Sequence, residues 1–85
     1  MKAVHKFPIG FGVNIIDMPA ESVIRSVQLQ NGNPHMWVEV NTVFPTIYRR
    51  FRPFATGAEI PAKAIYIATY ILLDSTVWHL YEVTA

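Results

Sequence analysis

The chain has no cysteine, so neither a disulfide nor a thiolate nucleophile is available to it. That excludes cysteine catalysis, cysteine-ligated zinc and a disulfide-stapled scaffold, and it fits a reducing compartment without requiring one. Charge is scarce too: 15% of the 85 residues are charged, the net charge is +1 and the pI is near 8.1. So small a balance provides no general coat for nucleic acid. Duplex DNA is an unfavourable partner because few phosphates could be neutralised, and any electrostatic function must be local.

Long apolar runs are also missing. Uncharged, mainly apolar stretches such as Phe7 to Ile16 and Ala64 to Leu73 span about ten residues, against roughly 20 for a bilayer-spanning helix. No membrane partner is expected. Lys2 and Lys6 bracket no continuous apolar segment followed by a small-residue cleavage site, so no signal peptide is expected and the cytoplasm is the expected location. Glycines 10, 12, 32 and 57 match no phosphate-binding loop, and no helix follows them.

What is abundant is apolar side chain, 52% of a chain short enough to have a high ratio of surface to volume. Too little polar side chain remains to cover the outside. The expectation is a single domain that assembles as a homo-oligomer, a dimer or higher, with apolar faces closed on one another.

Alternation predicts about seven short strands: Ala3–Phe7, Val13–Met18, Val23–Gln30, His35–Thr42, a strand from Thr46, Ala62–Leu73 and Thr76–Val83. Pro19-Ala20-Glu21-Ser22 and Asp74-Ser75 read as turns. Asn31-Gly32 is the strongest turn signal, since it tolerates the positive φ that a tight hairpin demands. The segment Ala62–Leu73 is apolar on both faces and reads as a central, doubly covered strand. No useful helix appears, so the fold class is all-β, a small antiparallel sandwich or roll.

Chemistry concentrates in Thr46 to Gly57, where three of the four arginines lie within four residues among aromatics. As a strand, it turns Tyr48, Arg50, Arg52 and Phe54 one way and Ile47, Arg49, Phe51 and Pro53 the other. Two guanidinium forks beside aromatic rings suit phosphate or carboxylate, with stacking on a base. The alternative is a solvated strand, or arginines paired with Glu39, Glu59 or Glu82. Pro53 lacks a ladder donor, which marks a local edge or bulge. A second row, His35, Trp37, Glu39 and Asn41, sets a large aromatic on a polar face. Trp37 either meets a partner or ligand, or packs under its own chain.

Catalysis lacks a constellation. His5, His35 and His79 lie on different strands with no zinc-site spacing, and the serines show no nucleophile-elbow context. His35 and Glu39 share a face but stand roughly 13 Å apart along a strand. The expectation is a non-enzymatic binding protein that needs neither metal nor cofactor.

The chain carries, in order, HKFPI (5 to 9), the Met18-Pro19 step, VQLQNG (27 to 32) leading to Trp37, RRFR (49 to 52) followed by Thr56-Gly57, YIAT (66 to 69) and VWHLYE (77 to 82). On these the chain resembles a family of small uncharacterised proteins encoded by tailed bacteriophages and prophages. It departs from that pattern at Ala55, Ala58 and Ala68, where glycine, histidine and glycine are usual. The resemblance implies a phage protein in the host bacterial cytoplasm, commonly an inhibitor or sponge directed at host defence. Combined with the residues, it leads to a counter-defence protein that sequesters an anionic ligand, a nucleotide among the candidates, through Tyr48, Arg50, Arg52, Phe54, Trp37 and His35 at a subunit junction. The alternatives are a protein-binding inhibitor of a host enzyme or defence component, and a minor virion or accessory protein.

Overall fold

The computed structural model describes residues 1–84. Among these described residues there are seven strands and no helix: β1 (Lys2–Pro8), β2 (Asn14–Pro19), β3 (Val23–Gln30), β4 (Asn33–Asn41), β5 (Thr46–Ala55), β6 (Ile65–Ile71) and β7 (Val77–Val83). They form two antiparallel sheets in the orders β1-β4-β3 and β2-β5-β7-β6, so the expected all-β sandwich is what the chain adopts. Between the sheets lies one core of Ile9, Met18, Met36, Val38, Val40, Phe51, Tyr70 and Leu80. Met36, Val38 and Val40 supply the inner row of β4, as period-two alternation requires.

The turns follow their local chemistry. Gln30 pairs with Asn33 across Asn31 (φ 52°) and Gly32 (φ 80°), the two consecutive positive φ values that close a two-residue hairpin. Ser75 (φ 69°) sits in the β6–β7 turn, where the Asp74 carboxylate accepts from the Thr76 amide at 3.0 Å and hydroxyl at 2.6 Å. These bonds hold the Asp74 carboxyl below its ordinary range. The 19–22 turn is closed by Ser22 Oγ donating to the Pro19 carbonyl at 2.6 Å.

Two strands depart from simple alternation. A bulge between Ile24 and Ser26 lets Ile24, Val27 and Leu29 all pack against the core, which uninterrupted alternation of β3 would forbid. A second bulge, between Tyr66 and Ala68, turns Tyr66 outward and Tyr70 and Leu72 inward. β6 is also not the doubly covered central strand that its composition predicts. It is the edge of its sheet, with Ile65, Tyr66 and Ile71 more than half exposed, while β5 and β7 take the central places. Composition registers apolar side chains and not which strand finds two neighbours. Pro53 is accommodated because β2 pairs with β5 only from Thr46 to Phe51, leaving β5 bordered by β7 alone at the proline.

Candidate anion-binding face

The outer face of the four-stranded sheet follows from register. On β5 it carries Tyr48, Arg50, Arg52 and Phe54, because Phe51 and Pro53 between them are buried in the interior. β7 runs beside it, pairing Arg50 with Val83, Arg52 with Tyr81 and Phe54 with His79. β6 then adds Tyr66 opposite Tyr81, Thr69 opposite His79 and Ile71 opposite Val77. On the other flank β2 sets Ile15 opposite Arg50 and Asp17 opposite Tyr48. Aromatic rings and two guanidinium groups therefore share one surface.

Phe54 lies on this outer face yet is only 5% exposed, outside the central core cluster. The Arg52 guanidinium carbon stands 4.9 Å from its ring centroid, and Tyr81 meets it edge-on at 5.7 Å. Tyr66 continues the chain of rings, edge-on to Tyr81 at 5.5 Å. Phe54 is thus a foundation: it supports Arg52 and offers no free face to a base. Tyr48, 69% exposed, and Tyr66, 53% exposed, are the rings free to stack.

His79 is held from both sides. Its Nε2 lies 2.9 Å from Thr56 Oγ1 and its Nδ1 2.9 Å from Thr69 Oγ1, and Thr69 Oγ1 is 2.8 Å from the Tyr66 hydroxyl. With both ring nitrogens engaged by hydroxyls, this imidazole ties Thr69 and, through it, Tyr66 to Thr56 of the 55–58 turn. The turn itself is closed by Ala58 N donating to the Ala55 carbonyl at 3.0 Å, with Gly57 at φ 90°.

The four arginines divide by face. Arg25 joins Lys2 at Glu39, at 3.2 and 3.3 Å, and these bonds, that from Lys2 foremost, hold the Glu39 carboxyl below its ordinary range. Arg49, on the inner side of β5, forks onto Glu82 and donates to the Ser22 carbonyl at 2.8 Å. Its bond to Glu82 raises the Arg49 pKa further, against the opposing effect of burial. Arg50 and Arg52 make no ion pair or hydrogen bond among the described residues. Among the described residues Asp17 is the one carboxylate that strand register sets on their face, at its β2 edge.

Trp37 and His35 do not belong to this site within one chain. They stand on the outer face of the three-stranded sheet, across the sandwich, with Trp37 opposite Lys6 and Ser26 and its ring centroid 5.8 Å from that of His35. His35 Nδ1 lies 2.8 Å from the Asn33 carbonyl oxygen. Strand alternation grouped Tyr48, Arg50, Arg52 and Phe54 because they lie on one strand. It could not bring in Tyr66, Tyr81, His79, Thr56 and Thr69, whose approach depends on which strands pair. The available signal was the alternation that sets His79 and Tyr81 on one face of β7. Among the described residues no group of three His, Cys, Asp or Glu side chains is placed to hold a metal ion, and no helix is long and apolar enough to cross a membrane.

The fold and this face define an all-β, two-sheet protein with an arginine and tyrosine surface on its larger sheet. The chain belongs to the family described as a domain of unknown function, DUF7352, whose model matches residues 1–85. No curated protein and no solved structure matches the chain with significance.

Proposed function

We propose that the protein is a non-enzymatic binder of an anionic, ring-containing ligand, a nucleotide or a molecule of the same chemistry, held on the outer face of the β2-β5-β7-β6 sheet. The observation that carries this reading is the division of the arginines. Arg25 and Arg49 are spent on Glu39 and Glu82, whereas Arg50 and Arg52 have no acidic partner among the described residues and stand beside exposed tyrosines. Two forks two residues apart on one strand can accept a phosphate bidentately, and Tyr48 and Tyr66 can stack on the attached ring. Phe54, itself met edge-on by Tyr81, supports the Arg52 guanidinium, which lowers the entropy lost on binding.

The same face carries exposed Ile15 and Ile71 around the arginines. A second copy packed there would cover them and enclose the ligand at a homo-oligomer junction. Trp37 and His35 reach such a ligand only if the partner presents its other sheet. Sequestration in a host bacterial cytoplasm, serving a bacteriophage against host defence, is the setting this reading takes from the family resemblance.

Native mass spectrometry of protein purified from bacterial lysate, before and after denaturation, reads subunit number and retained small molecules together. An oligomer that releases an anionic mass on denaturation supports the reading. Titration with AMP against adenosine then isolates the phosphate: AMP should bind more tightly, and R50Q plus R52Q should abolish that preference while leaving the fold intact. Equal binding of AMP and adenosine, or an unchanged double variant, would reject the site.

A further inference from the structure

At one end of the sandwich, where the chain after β1, the β3–β4 hairpin and the end of β6 converge, lies a cavity of about 210 Å³. Its walls are Ile9, Pro34, Pro53 and Leu72, and no charged side chain lines it. A charged ligand would lose hydration there without an opposite charge in return, so the cavity suits a neutral occupant. An apolar cavity of about 150 Å³ accommodates benzene, so this one has room for a single ring with a small substituent.

Two polar side chains, Asn33 and Tyr70, interrupt the apolar lining, and Asn33 is engaged with the Asn31 carbonyl at 3.4 Å. Tyr70 is 7% exposed and lines the cavity, and its hydroxyl makes no hydrogen bond among the described residues. No enclosed side-chain oxygen or nitrogen among those residues lacks a partner, so this hydroxyl borders accessible space, and Tyr70 is one of the residues that line the cavity. The hydroxyl is thus an unpaired donor and acceptor on a residue of a mainly apolar chamber.

The rim is already built. Asn14 Oδ1 accepts from the Gly10 amide at 2.8 Å, and Asn14 Nδ2 donates to the Gly10 and Gly12 carbonyls at 2.9 and 3.2 Å. That clasp holds Phe11 against Trp78, with ring centroids 5.0 Å apart. The Ile9 amide ties the loop to the hairpin by donating to the Pro34 carbonyl at 3.0 Å. A chamber walled by tied backbone needs little reorganisation to bind.

We propose that this cavity is a second binding site, separate from the arginine face, for a neutral single-ring aromatic molecule whose one polar substituent pairs with the Tyr70 hydroxyl.

Amide-resolved NMR titration of the whole protein with phenol, toluene and benzoate tests it. Phenol should produce saturable shifts centred on the amides of Gly10, Gly32 and Asn33. Toluene should bind the same place about three- to tenfold more weakly, the worth of one hydrogen bond, and benzoate should not bind there. Tyr70→Phe should erase the advantage of phenol and leave toluene binding unchanged. Absence of saturable shifts with both neutral probes at millimolar concentration would overturn the site, as would benzoate binding as well as phenol. An advantage of phenol that survives Tyr70→Phe would overturn the assigned role of the hydroxyl. Shifts at these amides that follow protein concentration instead of probe would assign the cavity to a second copy and end the proposal.

Discussion

Arg49 and Glu82 face each other across the interior of the β5–β7 pair, with Arg49 Nε and Nη2 donating to the two carboxylate oxygens at 2.8 and 2.6 Å. Arg49 also lies beside the fully buried Phe51, its guanidinium carbon 5.4 Å from the ring centroid. Its neighbour Arg50 projects to the opposite side of the sheet. One step along the strand therefore separates a structural arginine from one available to a ligand. Arg49→Gln should destabilise the protein by about 1–3 kcal/mol, since it leaves a largely covered carboxylate without its partner and drops the bond to Ser22. Arg50→Gln and Arg52→Gln should each stay within roughly 1 kcal/mol of the parent. Urea denaturation compares the three, and an Arg49→Gln midpoint no lower than the other two would contradict the division.

Asn14 clasps the 10–14 loop through bonds to Gly10 and Gly12 and reaches the Phe51 carbonyl at 3.3 Å. Asn14→Ala should cost about 1–2 kcal/mol and accelerate hydrogen exchange at the Gly10 amide, whose acceptor is lost. Exchange at Gly10 as slow as in the parent would mean the loop is held by other contacts.

Gly32 combines two constraints. Its φ of 80° disfavours any side chain, and a Cβ placed there would meet Leu73 Cδ1 at 2.7 Å. Gly32→Ala should therefore lower stability by about 1–2 kcal/mol. Adding Leu73→Ala should recover only a small part of that loss, because Leu73 is exposed and its Cδ1 end can swing aside, which leaves the φ strain as the main cost. Thermal melts of the two single variants and the double variant give the coupling. A purely additive double variant would leave φ alone as the cause.

Burial pushes the Tyr70 phenol up to about 12, from an ordinary value near 10. Because the folded value is the higher one, the stability Tyr70 contributes is complete below pH 10 and declines as pH rises towards 12. The full loss is at most about 3 kcal/mol, and Tyr70→Phe should flatten stability over that window. Urea midpoints at pH 9 and pH 11 for parent and variant test this. In ultraviolet absorbance, one of the four tyrosines should ionise late.

Much of the fold is legible along the chain because its determinants are local. Alternation places Met36, Val38 and Val40 inward and Trp37 outward within a single strand, and Asn31-Gly32 carries its hairpin in its own φ values. The grouping of Tyr48, Arg50, Arg52 and Phe54 is legible for the same reason. Bulges escape such reading. Ile24 joins Val27 and Leu29 inside only because the extra residue in β3 lets a partly buried apolar side chain reach the core.

The sequence by itself determined strand content, turn positions and which residues of the arginine strand share a face. These depend on φ preferences and on side chains one or two residues apart. The tertiary structure decided that β6 is an edge, that Arg49 belongs to Glu82, and that Trp37 and His35 stand across the sandwich from Arg50 and Arg52. It also brought Tyr66, His79 and Tyr81 beside the arginines and formed the partly open cavity lined by Tyr70. Those are relations between residues ten to more than thirty positions apart, settled by which strands pair and how two sheets close on a shared core. No periodicity within one segment encodes that choice, because it is made by packing the whole chain at once.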